Sequence, residues 1–337
     1  MILYNILYNM KQGNQYVKLI GVLAIFYAIG VVYDKYNKKV DENDRINNYD
    51  MVQQYLLNES NLVNSKKPIL WIHSEYEVNS RDWESFYSRN NTNLNQPYLY
   101  LTMKSIIDKC GDSFNICLID DNSFVKLLPG WSVSLSHVGN PVKKHLRYIA
   151  LCKLLDYYGG FYVPNSLLVT NDLIEMYNQG ISSAGCFTVE NVCDTSVSSV
   201  KSFFPDHRFL ASTKDNATMK ELILYLENMH STDLTNEQDF LGEVDRWLYM
   251  KSLPNQANSL SIIDGRFIGV KDAHGKPVSI EQLLGEDYIN FNKPLYGIYI
   301  PSDKILSRNR YAWFANLSAE SALKANTILS KHMLTNN

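Results

Sequence analysis

The chain has 337 residues, 45% of them hydrophobic, with a formal net charge of −3 and five cysteines. That length buries a full α/β core with appendages to spare, and the balanced charge leaves no electrostatic footprint for a nucleic-acid partner. An odd cysteine count without CxxC pairs or zinc spacing reads as buried thiols in a reducing compartment. Near the start, Leu19 to Tyr33 carries no charge. Extended to Tyr16–Tyr36, with Lys18 and Lys35 snorkelling, it makes a helix of roughly 31 Å against a hydrocarbon core of ~30 Å. The expected organisation is a tail over 1–15, a single transmembrane anchor over 16–36 that binds the lipid bilayer, a polar linker over 37–66 and one domain over 67–337. Membrane orientation is left open by lysines on both sides of the span.

The domain opens with Ile69-Leu70-Trp71-Ile72-His73, a continuous apolar run suited to a buried parallel strand. A helix from Pro97 with Leu99, Met103, Ile106, Ile107 and Cys110 on one face is expected to end at Gly111. A strand over Phe114 to Ile119 and a short helix after Asp120-Asp121-Asn122 follow. This alternation predicts an α/β fold built on a mostly parallel sheet flanked by helices. Ligands of such sheets sit beyond the carboxyl ends of the strands, where His73, Asp120 and Asp121 would lie. Asp121 also reads as a helix N-cap, and His73 as a hydrogen-bonded turn residue. After a loop from Trp131 to Pro141, Val142 opens a helix stopped by Gly159-Gly160, which delivers the chain onto an extended run from Phe161 to Val169.

Arg147-Tyr148, Leu154-Leu155 and Tyr158-Gly159-Gly160-Phe161-Tyr162 resemble the sugar-nucleotide-binding core of DXD-type glycosyltransferases, in particular the capsular-polysaccharide-synthesis families with a GT-A-like fold. The resemblance covers roughly Lys67 to Tyr249. It implies a nucleotide sugar, such as a UDP or GDP sugar, as ligand if the protein is active, with donor-side residues His73, Asp120, Asp121, Arg147 and Asn165. In the family the glycines lead to two aspartates that hold a divalent metal against the diphosphate. Here Pro164, Asn165 and Ser166 occupy that stretch, and Lys144 stands where the family has another aspartate. No metal ligand is therefore expected there, since hard cations want carboxylates. The anchor and a composition rich in Asn, Ile, Lys and Tyr are similar to glycosyltransferase-like proteins of large DNA viruses. That likeness implies an inactive scaffold on a virion's internal membrane, with capsid or other membrane-associated proteins as partners. Two alternatives stay open. One is metal-independent transfer using Arg147, Lys143 or Lys144 against the diphosphate, with Glu237 or Asp239 as catalytic base. The other is a sugar or nucleotide binding module with aromatic stacking surfaces, Trp71, Trp83 and Trp131 among them.

Downstream, the sequence predicts a short helix over Asp172 to Asn178 with Gly180 past its end. Strands over Gly185 to Glu190 and Arg208 to Ser212 are separated by a polar segment holding Phe203 to Asp206. Asn216 caps a helix with a Met219, Leu222, Ile223, Leu226 stripe, and a Thr235/Gln238 capping box opens another that buries Phe240, Leu241, Val244 and Leu248. Short β runs follow between Ser259 and Ile300, with an edge strand near Tyr296 to Pro301, and a helix capped by Ser318 runs to about His332.

Overall fold

Strand β1 (Ile69–His73) alternates its side chains across the sheet, Ile69 and Trp71 to one core and Leu70 and Ile72 to the other. Such a run is buried on both faces, which is why it reads as continuously apolar. The computed structural model describes residues 67–74, 96–193, 201–231 and 237–336, without the side chains of 237–241; the segments 1–15, 16–36 and 37–66 and Trp83 lie outside them. Among the described residues no helix is long and apolar enough to cross a membrane.

The chain continues through α1 (Leu99–Cys110), β2 (Asn115–Ile119), α2 (Ser123–Leu127), α3 (Val142–Tyr158) and β3 (Gly160–Pro164). Next come β4 (Leu167–Val169), α4 (Ile174–Ala184), β5 (Cys186–Val192), β6 (Phe203–Ser212), α5 (Ala217–Ser231), α6 (Glu237–Ser252) and β7 (Ser261–Ile263). Six strands form one sheet in the order β2-β1-β3-β6-β5-β7. β1 pairs in parallel with β2 and β3, and β5 with β7, while β6 alone runs against its neighbours. The predicted α/β, mostly parallel sheet flanked by helices is what forms. One face is covered by α3, α5 and α6, the other by α1 and α4. A third apolar cluster joins β4, its antiparallel partner β8 (Gly297–Tyr299) and the C-terminal helices.

The glycine turn between α3 and β3 is fixed by close approach. Gly160 has φ +112°, and a Cβ there would lie 2.3 Å from the Ile69 carbonyl oxygen. The Trp71 indole Nε1 donates to the Gly159 carbonyl at 2.9 Å, tying the turn to β1.

Several expectations are corrected. The run from Phe161 to Val169 is two strands, broken by a turn at Asn165-Ser166, because Pro164 cannot continue a ladder as donor. Gly180 lies inside α4, where a Cβ would strike the Phe187 ring at 2.4 Å, and Gly185 caps the helix in the left-handed region. Phe203 to Asp206 belongs to β6. The edge strand expected near Tyr296 does form, paired with β4, whereas the last helix is two, Ala319–Lys324 and Ile328–Asn336, the first capped by Ser318 as expected. The buried face of α1 is turned toward Leu101, Thr102, Ser105, Ile106 and Cys110, and Tyr157 of α3 is exposed. All five cysteines are free and buried, with burial pushing the Cys117 thiol up to about 12.

Candidate functional site

The carboxyl ends of the parallel strands gather charge. Register pairs His73 with Ile119 on β2 and with Pro164 on β3, so the residues that follow Ile119 stand beside His73. Asp120 and Asp121 divide the roles there. The Asp120 carboxylate accepts from the Asn122 and Ser123 backbone N–H groups at 3.1 and 2.9 Å and from the Ser123 hydroxyl, closing the turn into α2. The helix-capping work that the sequence assigned to Asp121 therefore falls to Asp120. Asp121 is left to meet cations.

Arg147, one turn into α3, grips Asp121 with both prongs of its guanidinium, Nε to Oδ1 at 2.7 Å and Nη2 to Oδ2 at 2.8 Å. The His73 Nε2 lies 3.0 Å from Oδ1 and the Lys143 ammonium 3.3 Å from Oδ2. The His73 ring stacks on Phe124 at 5.8 Å, which fixes its plane. Asp121 is only 13% exposed. Burial pushes its pKa up, yet Arg147 and His73 together hold it well below the usual carboxylate range.

Asn165 sits in the turn after β3. Its backbone carbonyl accepts from the buried Thr102 hydroxyl of α1, and the carbonyl of buried Ser166 accepts from Ile300 N–H at 3.0 Å. The turn is thus stitched to the scaffold through its backbone. Glu237 and Asp239 lie in the first turn of α6, and their side chains are outside the described residues. Trp71 is buried beneath the glycine turn, while Trp131 is half-buried at the rim, with the Lys153 ammonium 5.8 Å over its ring.

A second cluster, which sequence reasoning missed, occupies the same sheet edge. β6 runs opposite to β3, so its first half lies level with the end of β3. His207 Nδ1 is 3.0 Å from Asp245 Oδ1 and 3.6 Å from Asp206 Oδ1. Asp206 accepts from the Arg208 backbone N–H at 2.9 Å, from Arg208 Nη1 at 3.1 Å and from the Asn191 amide. Burial presses the Asp206 pKa upward, but Arg208 and His207 leave it lowered; Asp245, half-buried and facing His207, stays raised by its partial burial. Tyr162 of β3 lies within the electrostatic reach of both clusters. Burial pushes its hydroxyl up to about 12, against the opposing fields of Arg147 and Arg208.

No family model and no curated protein matches this chain.

Proposed function

We propose that residues 67–337 form a glycosyltransferase-like domain, GT-A-like in its sheet and helix arrangement, that no longer transfers sugar and works as a scaffold for protein partners. The observation that carries this reading is the bidentate seat of Asp121 in the Arg147 fork. A nucleoside diphosphate approaching this edge would have to displace a carboxylate that already satisfies the guanidinium and is also met by Lys143 and His73. Breaking such a partly buried pair costs about 3 kcal/mol, which subtracts directly from donor affinity. The turn Pro164-Asn165-Ser166 supports the same reading, because no carboxylate of that turn is present to bring a metal to the phosphates.

The apolar span over 16–36 supports attachment of this scaffold to a bilayer, and the resemblance to proteins of large DNA viruses extends the proposal to contacts between a virion's internal membrane and its capsid. Metal-independent transfer is the competing reading. It is favoured by one fact, that two cationic side chains, Arg147 and Lys143, converge on the single Asp121 carboxylate at the strand ends. Incubating the full-length chain with UDP and GDP sugars, with Mn²⁺ or with chelator, and measuring free UDP or GDP separates the two. No release is expected in either condition; release that persists in chelator and disappears in Arg147→Ala would establish donor cleavage at this site, with water taking the sugar, and overturn the inactive reading.

A further inference from the structure

We propose that Asp206, His207 and Asp245 form a binding site for a divalent transition cation, with Zn²⁺ the best match. Among the described residues, these three place one ligand atom each within 4.8 Å of one another. Around a tetrahedral Zn²⁺ with bonds of ~2.0–2.1 Å, neighbouring ligand atoms stand about 3.3 Å apart. The separations of 3.0 and 3.6 Å from His207 Nδ1 to the two carboxylates bracket that value. One imidazole and two carboxylates suit Zn²⁺, Mn²⁺ or Fe²⁺, whereas Mg²⁺ and Ca²⁺ prefer oxygen alone.

Adjacent residues of a strand point to opposite faces, so Asp206 and His207 should diverge. They converge because the ladder slips. Thr188 pairs with Leu210 and Val189 with Asp206, leaving His207, Arg208 and Phe209 outside the β5 register. Such a bulge re-aims side chains. The supporting contacts also fit a ligating carboxylate. Asp206 Oδ2 is held by Arg208 and the Asn191 amide, and the Asp206 carbonyl accepts from buried Thr188 at 2.7 Å, so its position is set by neighbours.

An independent observation points to a missing ligand. The Tyr148 hydroxyl is buried with no hydrogen-bond partner among the described residues, and Tyr148 is 5% exposed. Its ring stands edge-on to His207 at 5.3 Å, and the nearest group acting on its hydroxyl is the Cys152 thiol, one turn on in α3, a weak partner at best. Buried hydroxyls are almost always paired. A water carried on the bound cation would supply that partner.

This inference does not depend on whether sugar transfer is lost, and its test reads metal alone. The full-length chain, stripped with chelator, is titrated calorimetrically with ZnCl₂, MnCl₂ and MgCl₂. One equivalent of Zn²⁺ is expected, bound more tightly than Mg²⁺. His207→Ala should abolish uptake, and Tyr148→Phe should weaken it by roughly 10–100-fold, as the loss of an outer-shell partner does. Zn absorption-edge spectroscopy of the unaltered chain, which needs no variant to fold, should report one imidazole among oxygen donors. Failure to take up Zn²⁺, uptake unchanged in His207→Ala, or a coordination shell without imidazole would each overturn the site.

Discussion

At the β1–β2 end of the sheet edge, two basic side chains and one imidazole converge on a single carboxylate, Asp121; at the β6 end, two carboxylates converge on a single imidazole, His207. The first cluster closes on itself, since a planar fork and a carboxylate satisfy each other in one geometry. The second retains Asp245, an acid whose proton affinity is raised by burial and by the neighbouring Asp206 carboxylate against the pull of His207. Position at the carboxyl ends of parallel strands is thus not enough to make a ligand site. What matters is whether the charges brought there are already spent on one another.

The largest expected effect comes from the frame that both clusters share. Gly160→Ala places a Cβ 2.3 Å from the Ile69 carbonyl at a left-handed φ of +112°. Strain and overpacking together should cost about 3–5 kcal/mol, read by denaturant unfolding. Asp121→Asn strips from the first cluster the carboxylate that Arg147, Lys143 and His73 share. A loss of about 3 kcal/mol is expected, together with new binding of pyrophosphate by calorimetry, the sign that the closed cluster has been opened. Saturating Zn²⁺ should stabilise the second cluster only. At 100 times its dissociation constant the gain is about 2.7 kcal/mol, measured as a higher unfolding midpoint, and His207→Ala should erase it.

Acid should separate the clusters as well. The folded pKa of Asp121 lies below its unfolded value near 3.9, so its stabilisation is complete above about pH 4 and is lost as pH falls toward the folded pKa. Unfolding measured from pH 6 to pH 2 should fall less steeply in Asp121→Asn than in the unaltered chain. Asn216→Ala, remote from both clusters, removes the carbonyl that accepts from Thr218 and Met219 N–H at 2.9 and 3.3 Å, and should cost only about 1 kcal/mol.

The first cluster was largely legible because its carriers are contiguous patterns. β1 is an apolar run as far as Ile72 and β2 is one after Asn115, so His73 and Asp121 mark strand ends, and α3, which carries Arg147 near its start, is bounded by a glycine pair. What pattern could not decide was which of two neighbouring aspartates closes the turn, since Asp120 and Asp121 differ only in where the chain bends. The second cluster was illegible for a different reason. Pro205-Asp206-His207 looks like a strand breaker, yet it continues β6 through a bulge, and Asp245 comes from 38 residues further on. One signal did exist: Asp245 follows the fully buried Val244 and precedes Leu248 by three, so a carboxylate lies beside the apolar stripe of α6. A helix with an acid in that place needs a partner, and the partner is in β6.

The most direct measurement is calorimetry of the full-length chain against UDP and GDP sugars, with and without Mn²⁺, run beside Asp121→Asn. If Asp121 has taken the place of the donor diphosphate, the unaltered chain gives no binding heat with any nucleotide sugar in either condition. Saturable binding of a UDP or GDP sugar by the unaltered chain, lost in Arg147→Ala, would contradict the account and return this edge of the sheet to donor chemistry.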